Sequence, residues 1–119
     1  MRKKAFVTLV LTAGLILASS FNSFALFEGW VLVGTKGTEW VYLNGTGERT
    51  LNEWKQKDSL WYYLGEDGLI ILNQWHRDDD GKWYYLGEDG AMLANTTTPD
   101  GYTVNAEGCW TVNGVVQIQ

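Results

Sequence analysis

Apolar and polar residues follow one another in short runs after residue 28 of this chain, and clusters of Gly, Asn, Asp and Ser separate the runs. Short runs that are rich in aromatic and β-branched residues predict β-strands joined by tight turns. The clearest run has the form Trp-x-Tyr-Leu and begins at Trp40, Trp61 and Trp83, so that the spacings are 21 and 22 residues. A period near 20 residues predicts a stack of small repeated units rather than one globular core.

Turn chemistry predicts that each repeat is a β-hairpin of defined register. Residues 79–81 have the sequence Asp-Asp-Gly, which is typical of a three-residue hairpin loop with a left-handed glycine, and this loop places Trp75 opposite Tyr85. The loops at residues 35–37 and 58–59 give the corresponding pairs of the other repeats, Trp30 with Tyr42 and Trp54 with Tyr63. Because strand side chains alternate between faces, one face of each repeat carries two Trp and one Tyr. The other face, with Val, Tyr and Leu, is predicted to face the core.

We predict that three hairpins occupy residues 26–94 and that residues 95–119 form a linker and a degenerate C-terminal capping hairpin. The linker is the polar segment 95–101, and the strands of the cap are residues 102–104 and 109–112. One hairpin alone is marginally stable, whereas stacked hairpins bury their apolar faces against their neighbours. The predicted fold is therefore all-β, a solenoid of stacked β-hairpin repeats.

The N-terminal region has the features of an export signal. The basic residues 2–4 precede an apolar run of 14 residues from Ala5 to Ala18, and small and polar residues follow as far as Ala25. A run of this length is too short to span a bilayer, so we favour a helical signal peptide over residues 1–25, cleaved after Ala25, over an uncleaved anchor. The exported protein is then not inserted in the membrane.

Charge and cysteine content narrow the range of partners. The signal contains three of the nine basic residues and none of the fourteen acidic ones, so the remaining six basic residues leave a formal charge of −8. Nucleic acid and anionic lipid require clustered Lys and Arg, and both are therefore disfavoured as partners. Cys109 is the sole cysteine, which excludes an internal disulfide and leaves two interpretations, a small buried residue beside Trp110 or a reactive or intermolecular thiol.

Two Trp and one Tyr that converge on a cleft can bind two kinds of ligand. Their electron-rich ring faces attract a quaternary ammonium group, by roughly 0.5 to 2 kcal/mol per ring. The same rings can instead lie flat against the C–H faces of a sugar. Either kind of site is weak alone, so function requires several sites on one polymer. A third interpretation is that the Trp residues are purely structural or mediate self-association.

The repeats resemble a known family. The pattern Trp-x6–7-Trp-Tyr-Tyr-Leu-x3-Gly, from Trp54 to Gly68 and from Trp75 to Gly90, is similar to the choline-binding and cell-wall-binding repeats, which are related to the glucan-binding repeats of extracellular glucosyltransferases. The segment 90–108 is similar to the closing segment of that family. The resemblance implies ligand sites between consecutive hairpins, each lined by two Trp and one Tyr, often beside a Met.

The resemblance implies three sets of site residues in this chain. They are Trp54 and Trp61 with Tyr85, Trp30 and Trp40 with Tyr63, and Trp75 and Trp83 with a partner from the tail such as Tyr102. Among the repeats, only Gly90-Ala91-Met92 keeps the family's methionine.

Other candidate chemistry has simpler explanations. Glu66-Asp67 and Glu88-Asp89 occupy the same position in successive repeats, which turn propensity explains better than paired catalytic carboxylates. The run 78–80 of three Asp residues lacks the alternation of a calcium loop and is typical of a hairpin turn. His76, the only histidine, is predicted to pack opposite Tyr84.

We therefore predict a binding protein and not an enzyme, without catalytic residues, metal ligands or cofactors. Its predicted location is outside the cell, at the bacterial cell-wall surface. Its predicted partner is a cell-wall polymer, with choline-bearing teichoic acid as the first ligand and a glucan-type polysaccharide as the alternative. The oligomeric state is left open.

Overall fold

The computed structural model describes residues 27–119, and the predicted signal peptide lies outside these residues. Within them the secondary structure consists of ten short strands and includes no helix, so that the all-β prediction is confirmed. Accordingly, no helix capable of crossing a membrane is found in the part of the chain that is described. The strands are β1 (Gly29–Leu32), β2 (Trp40–Leu43), β3 (Glu53–Lys57), β4 (Leu60–Leu64), β5 (Gln74–Arg77), β6 (Trp83–Leu86), β7 (Thr96–Thr97), β8 (Thr103–Val104), β9 (Trp110–Val112) and β10 (Val115–Val116).

The first six strands form three hairpins, each a separate two-stranded sheet. In β1–β2, Trp30 pairs with Tyr42, and in β5–β6, Trp75 pairs with Tyr85, so both predicted registers are confirmed. In the β3–β4 hairpin the two loop residues both have positive φ, the conformation of a type I′ turn. A hydrogen bond of 3.2 Å from the Asn52 N–H to the Gly65 carbonyl agrees with the predicted pairing of this hairpin.

A four-residue turn that ends in glycine follows each of these hairpins and recurs in the C-terminal segment. In the turn 87–90, the Gly90 N–H donates to the Gly87 carbonyl at 3.0 Å, and Gly90 has a φ of 91°. The Ala91 N–H donates to the Asp89 carboxylate at 3.1 Å, which is the local bond typical of aspartate in turns. The same closing bond occurs in the turns 44–47, 65–68 and 105–108. The sequence repeat is therefore a structural repeat.

The described chain divides into two compact units. The first comprises residues 27–53 and 64–70. Its core centres on Val31 and Val41, and Val41 has 1% of its surface exposed, as predicted for a core-facing position of strand β2. The partly buried side chains packed against these two are Phe27, Val33, Leu43 and Leu69.

The second unit comprises residues 54–63 and 71–119. It contains the predicted capping hairpin, in which Thr103 pairs with Thr111 and Val104 with Trp110. The structure adds a strand on either side, because β7 pairs with β8 and β10 pairs with β9 in one four-stranded sheet. β7 consists of two β-branched residues within the segment that we predict as a linker, and the positive φ of Asn113 and Gly114 forms the turn that leads into β10.

Candidate ligand-binding clefts

A cleft of about 310 Å³ opens on the second unit where the β5–β6 hairpin meets the C-terminal segment. We call it the Trp75 cleft. The rings of Trp75 and Tyr102 meet edge to face with centroids 5.9 Å apart, and Tyr102 and Trp110 meet in the same way at 5.9 Å. The residues that line the cleft are Trp75, Trp83, Asp100, Tyr102, Trp110 and Gln119. The structure thus brings together all three residues that were predicted for this set, and it adds a fourth ring, that of Trp110.

Asp100 fixes the position of the first ring in this cleft. The Trp75 indole N–H donates to Asp100 Oδ2 at 2.9 Å. The Thr98 hydroxyl donates to Asp100 Oδ1. The hydrogen bond from Thr98 makes the largest contribution to holding the pKa of Asp100 below its ordinary value, and the bond from Trp75 makes the next largest. The carboxylate is therefore ionised at neutral pH.

The indole N–H groups of Trp83 and Trp110 differ from that of Trp75. Both nitrogen atoms are buried, and neither has a hydrogen-bond partner among residues 27–119. These two indoles therefore present carbon atoms rather than N–H groups to the Trp75 cleft. Apolar ring carbons of this kind suit the methyl groups of an ammonium ligand or the C–H face of a sugar.

A second cleft of about 500 Å³ lies on the same unit beside the β3–β4 hairpin. We call it the Trp54 cleft. Trp54 meets Trp61 with ring centroids 6.5 Å apart and Tyr84 with centroids 5.3 Å apart, both edge to face. Trp61 is 42% exposed, so its ring is open to solvent. The residues that line the cleft are Trp54, Trp61, Asp78, Tyr84, Met92, Ala106 and Glu107.

The third ring of the Trp54 cleft differs from the sequence prediction. We predicted Tyr85, but Tyr84 lines the cleft, whereas Tyr85 is buried and packs on Trp75 at a centroid distance of 5.2 Å. Side chains alternate in β6, so Tyr84 and Tyr85 lie on opposite faces, and the packing of the hairpins turns the face of Tyr84 toward Trp54. Tyr85 faces its cross-strand partner Trp75, and Tyr84 shares the opposite face with its partner His76, which lies against Trp54.

Met92 reaches the Trp54 cleft through a backbone link. The Met92 N–H donates to the Trp61 carbonyl at 2.9 Å, and Met92 also forms an isolated bridge with Leu86. The methionine retained in the sequence therefore lines the Trp54 cleft together with Trp61.

Asp78 plays the same part in the Trp54 cleft as Asp100 does in the Trp75 cleft. Asp78 Oδ1 accepts a hydrogen bond from the Trp54 indole N–H at 3.1 Å. The same oxygen lies 3.0 Å from His76 Nε2, and because a carboxylate only accepts, the histidine nitrogen is the donor. The sequence predicts a hairpin turn over the run 78–80 and the packing of His76 opposite Tyr84. The predicted pairing is confirmed, but neither hydrogen bond was foreseen.

Tyr84 is held at the back of the Trp54 cleft by the lone cysteine. Cys109 is buried, and its thiol donates to the Tyr84 hydroxyl at 3.6 Å. Burial, followed by the contact with Cys109, raises the pKa of Tyr84 well above its ordinary value of 10.0. The hydroxyl is therefore neutral at physiological pH. The buried interpretation of Cys109 is confirmed.

The remaining predicted residues lie outside these two clefts. Trp30 and Trp40 belong to the first unit, where both are buried, and Trp30 packs edge to face on Tyr42 at 5.4 Å. Tyr63 belongs to the second unit, where it stacks on His76. The set of Trp30 and Trp40 with Tyr63 draws on both units and stays a prediction.

The acidic residues outside the clefts have local roles. Asp67 and Asp89 each accept a backbone N–H two residues further on, as their assignment to turns requires. Asp80 does the same for the Lys82 N–H. No group of three or more His, Cys, Asp or Glu side chains within residues 27–119 is arranged to hold a metal ion.

Comparison with known proteins identifies the repeats. A choline-binding repeat profile matches residues 69–110, and a cell wall binding repeat profile matches residues 52–70. Both profiles describe binding repeats rather than catalytic domains. No match was found among curated protein sequences.

Solved structures from Streptococcus pneumoniae share the fold. The choline-binding domain of Spr1274 is 36% identical over 72% of this chain and 96% of its own, with a TM-score of 0.58. The choline-binding domain of CbpL is 30% identical over 72% of this chain, with a TM-score of 0.59, and choline binding protein F is 35% identical over 76%, with a TM-score of 0.56. The matches cover 43% of the CbpL chain and 28% of the protein F chain.

Sequence motif, hairpin register and these similarities agree with one another. Both Trp-Tyr-Tyr-Leu repeats, the glycine-ended turns 65–68, 87–90 and 105–108, and the two Trp of each cleft's hairpin lie within the residues that the profiles match. This chain belongs to the choline-binding repeat family.

Proposed function

We propose that this chain is a secreted protein that attaches non-covalently to the bacterial cell wall by binding choline residues of teichoic acid. The observation that carries the proposal is the repetition of one arrangement on the second unit. Each cleft combines the two Trp of one hairpin with a Tyr from a later segment. Such an arrangement surrounds a trimethylammonium group with ring faces, which attract it by roughly 0.5 to 2 kcal/mol per ring.

Two clefts on one unit suit a polymeric ligand. A single site of this kind is weak once the entropic cost of binding is subtracted. When two sites bind neighbouring choline groups of one polymer, the second event is intramolecular, and the avidity rises by about 10² to 10⁴. The related protein F, which was crystallised in the presence of a peptidoglycan analogue, supports a cell-wall setting for this chain as well.

The stacking of the hairpins into a solenoid is part of the proposal. Within the second unit, the Met92 N–H bonds to the Trp61 carbonyl, and within the first, the Ile70 N–H bonds to the Trp40 carbonyl at 3.0 Å. These bonds occupy equivalent positions of successive repeats. A link that recurs with the period of the repeat is the element from which a solenoid is built.

Titration of the purified protein with choline tests the proposal. Tryptophan fluorescence should change saturably at millimolar choline, and Trp61→Ala should reduce the response while leaving the fold intact, because Trp61 is not part of the buried core. Leu60→Ala is the matched control, since Leu60 is an equally exposed neighbour that lines neither cleft.

A neutral glucan oligomer titrated in parallel separates the two ligand classes. A response to glucan alone would assign the clefts to polysaccharide. If folded protein responds to neither ligand, and light scattering reveals a stable oligomer, the aromatic residues serve self-association and the proposal is wrong.

A further inference from the structure

Each cleft of the second unit contains a carboxylate that is bound to one of its own tryptophans. Asp78 accepts the Trp54 indole N–H at 3.1 Å, and Asp100 accepts the Trp75 indole N–H at 2.9 Å. Trp54 and Trp75 are the first tryptophans of successive hairpins, and both aspartates line the clefts concerned. The aromatic repeat is thus accompanied by a repeated acidic group.

The two aspartates do not occupy equivalent positions of the sequence repeat. Asp78 is the first residue of its turn, since its carbonyl accepts the Gly81 N–H at 3.0 Å. Asp100 is the third residue of the corresponding turn, in which the Gly101 N–H donates to the Thr98 carbonyl at 2.9 Å. Turn propensity therefore does not explain why both side chains reach an indole N–H of the preceding hairpin.

The electrostatic balance of the clefts is negative. Among the described residues that line them, the Trp54 cleft has Asp78 and Glu107, the Trp75 cleft has Asp100, and neither includes Lys or Arg. His76 donates to Asp78 from the side of the Trp54 ring and is not a lining residue. Asp78 and Asp100 remain partly or fully exposed, so that their charges act on the cleft through a medium of intermediate dielectric.

We propose that Asp78 and Asp100 are specificity-determining residues, which hold the first tryptophan of each cleft and supply the negative charge that selects a cationic group over a neutral group of the same shape. This inference rests on the proposed choline function. Aromatic rings alone attract both a trimethylammonium group and its uncharged carbon analogue, because both bury methyl groups against the ring faces. A carboxylate at the same cleft favours only the cation.

The test compares choline with its neutral analogue, in which a tert-butyl group replaces the trimethylammonium group. Asp78→Asn and Asp100→Asn, singly and together, remove the charge but keep an oxygen that accepts the indole N–H. The control is Glu88→Gln, which removes one charge from an exposed turn residue that lines neither cleft. Dissociation constants are measured by ligand-observed NMR titration, and thermal unfolding verifies that each variant is folded.

In the double variant we expect choline affinity to fall by roughly three- to tenfold, as the loss of one charge contact near the surface implies, with little change for the neutral analogue. The control should leave the ratio of the two affinities unchanged. If the ratio of the choline affinity to the affinity for the neutral analogue is unchanged in the double variant, the aspartates only hold the rings.

A measurement on the unsubstituted protein covers the case in which the variants do not fold. Screening by salt weakens an attraction between a partly exposed carboxylate and a cation. Choline affinity should therefore decrease with ionic strength while affinity for the neutral analogue does not, and a salt-independent choline affinity would overturn the inference. If the unsubstituted protein binds no choline at any salt concentration, it is the proposed function that fails.

Discussion

The imidazole of His76 stacks on the phenol ring of Tyr63, with centroids 3.7 Å apart and planes inclined by 25°. His76 comes from the β5–β6 hairpin and Tyr63 from the β3–β4 hairpin, and both belong to the second unit. His76 also donates to Asp78, whose carboxylate holds Trp54. One side chain thus joins the packing of two hairpins to the geometry of a cleft.

Replacing His76 should lower the stability of the fold, and it should also weaken ligand binding in the Trp54 cleft, because Asp78 loses the neighbour that helps to position it. We expect His76→Ala to lower the free energy of unfolding by about 1 to 3 kcal/mol, the sum of a ring contact and a hydrogen bond. Urea unfolding measures this loss. His76→Phe keeps an aromatic ring on Tyr63 and should lose less. If the alanine and phenylalanine variants are equally unstable, the stacking contributes little.

Gly108 is expected to control the position of Met92. A Cβ atom at residue 108 would lie 2.6 Å from Met92 Cε and Sδ, and the φ of 86° is itself unfavourable for other residues. We expect Gly108→Ala to cost about 1 to 2 kcal/mol of stability and to displace the methionine in the Trp54 cleft, which weakens ligand binding there.

Gly101→Ala provides the matched comparison for this prediction. Gly101 has a similar φ of 93°, but its added Cβ would meet nothing within 4 Å. Gly101→Ala should therefore lose a similar amount of stability, but it should not displace Met92 or weaken ligand binding in the Trp54 cleft. Equal ligand affinities of the two variants would contradict the assigned role of Met92.

Alkaline pH should destabilise the protein through Tyr84. Because burial raises the pKa of Tyr84 in the folded chain above 10.0, the folded state keeps the proton longer than the unfolded state does. The stabilisation is complete below pH 10.0 and is lost as the pH rises toward the folded value. Tyr84→Phe cannot ionise, so its unfolding free energy should fall less steeply above that pH. Parallel curves for the two proteins would refute this assignment.

Cys109 should be protected in the folded protein. Its side chain is 4% exposed and donates to Tyr84. We expect a thiol reagent to modify it slowly in buffer and rapidly in denaturant, where the thiol is accessible. A non-reducing gel of oxidised protein should show a monomer band. Rapid native modification or a covalent dimer would restore the alternative of an intermolecular bridge.

The hairpin registers were predictable because they depend on local chemistry. A loop such as residues 79–81 specifies its own length and glycine position, and the pairing of Trp75 with Tyr85 follows from it. The choice between Tyr84 and Tyr85 as the third ring was not predictable in this way. It depends on which face of β6 meets the preceding hairpin, and that is a matter of tertiary packing rather than of strand period.

The polar contacts of the clefts escaped prediction for a similar reason. The Trp54–Asp78 and Trp75–Asp100 hydrogen bonds join residues 24 and 25 positions apart, across two hairpins. No spacing rule for strands or turns connects such residues. Trp110 was easier to predict from the sequence, because it lies in a strand of the predicted capping hairpin, as Trp40, Trp61 and Trp83 lie in strands of their own hairpins.

None of the three hairpins in residues 27–86 shares a sheet with another, and each is followed by a turn that closes its own hydrogen bond within four residues. A segment bounded by two such turns can be duplicated or deleted during evolution without cutting through a strand ladder. Because the segment also brings its own pair of tryptophans, each such event changes the number of tryptophan pairs by one. The valency that the proposed function requires is in this sense encoded in units of about 22 residues, the spacing from Trp61 to Trp83.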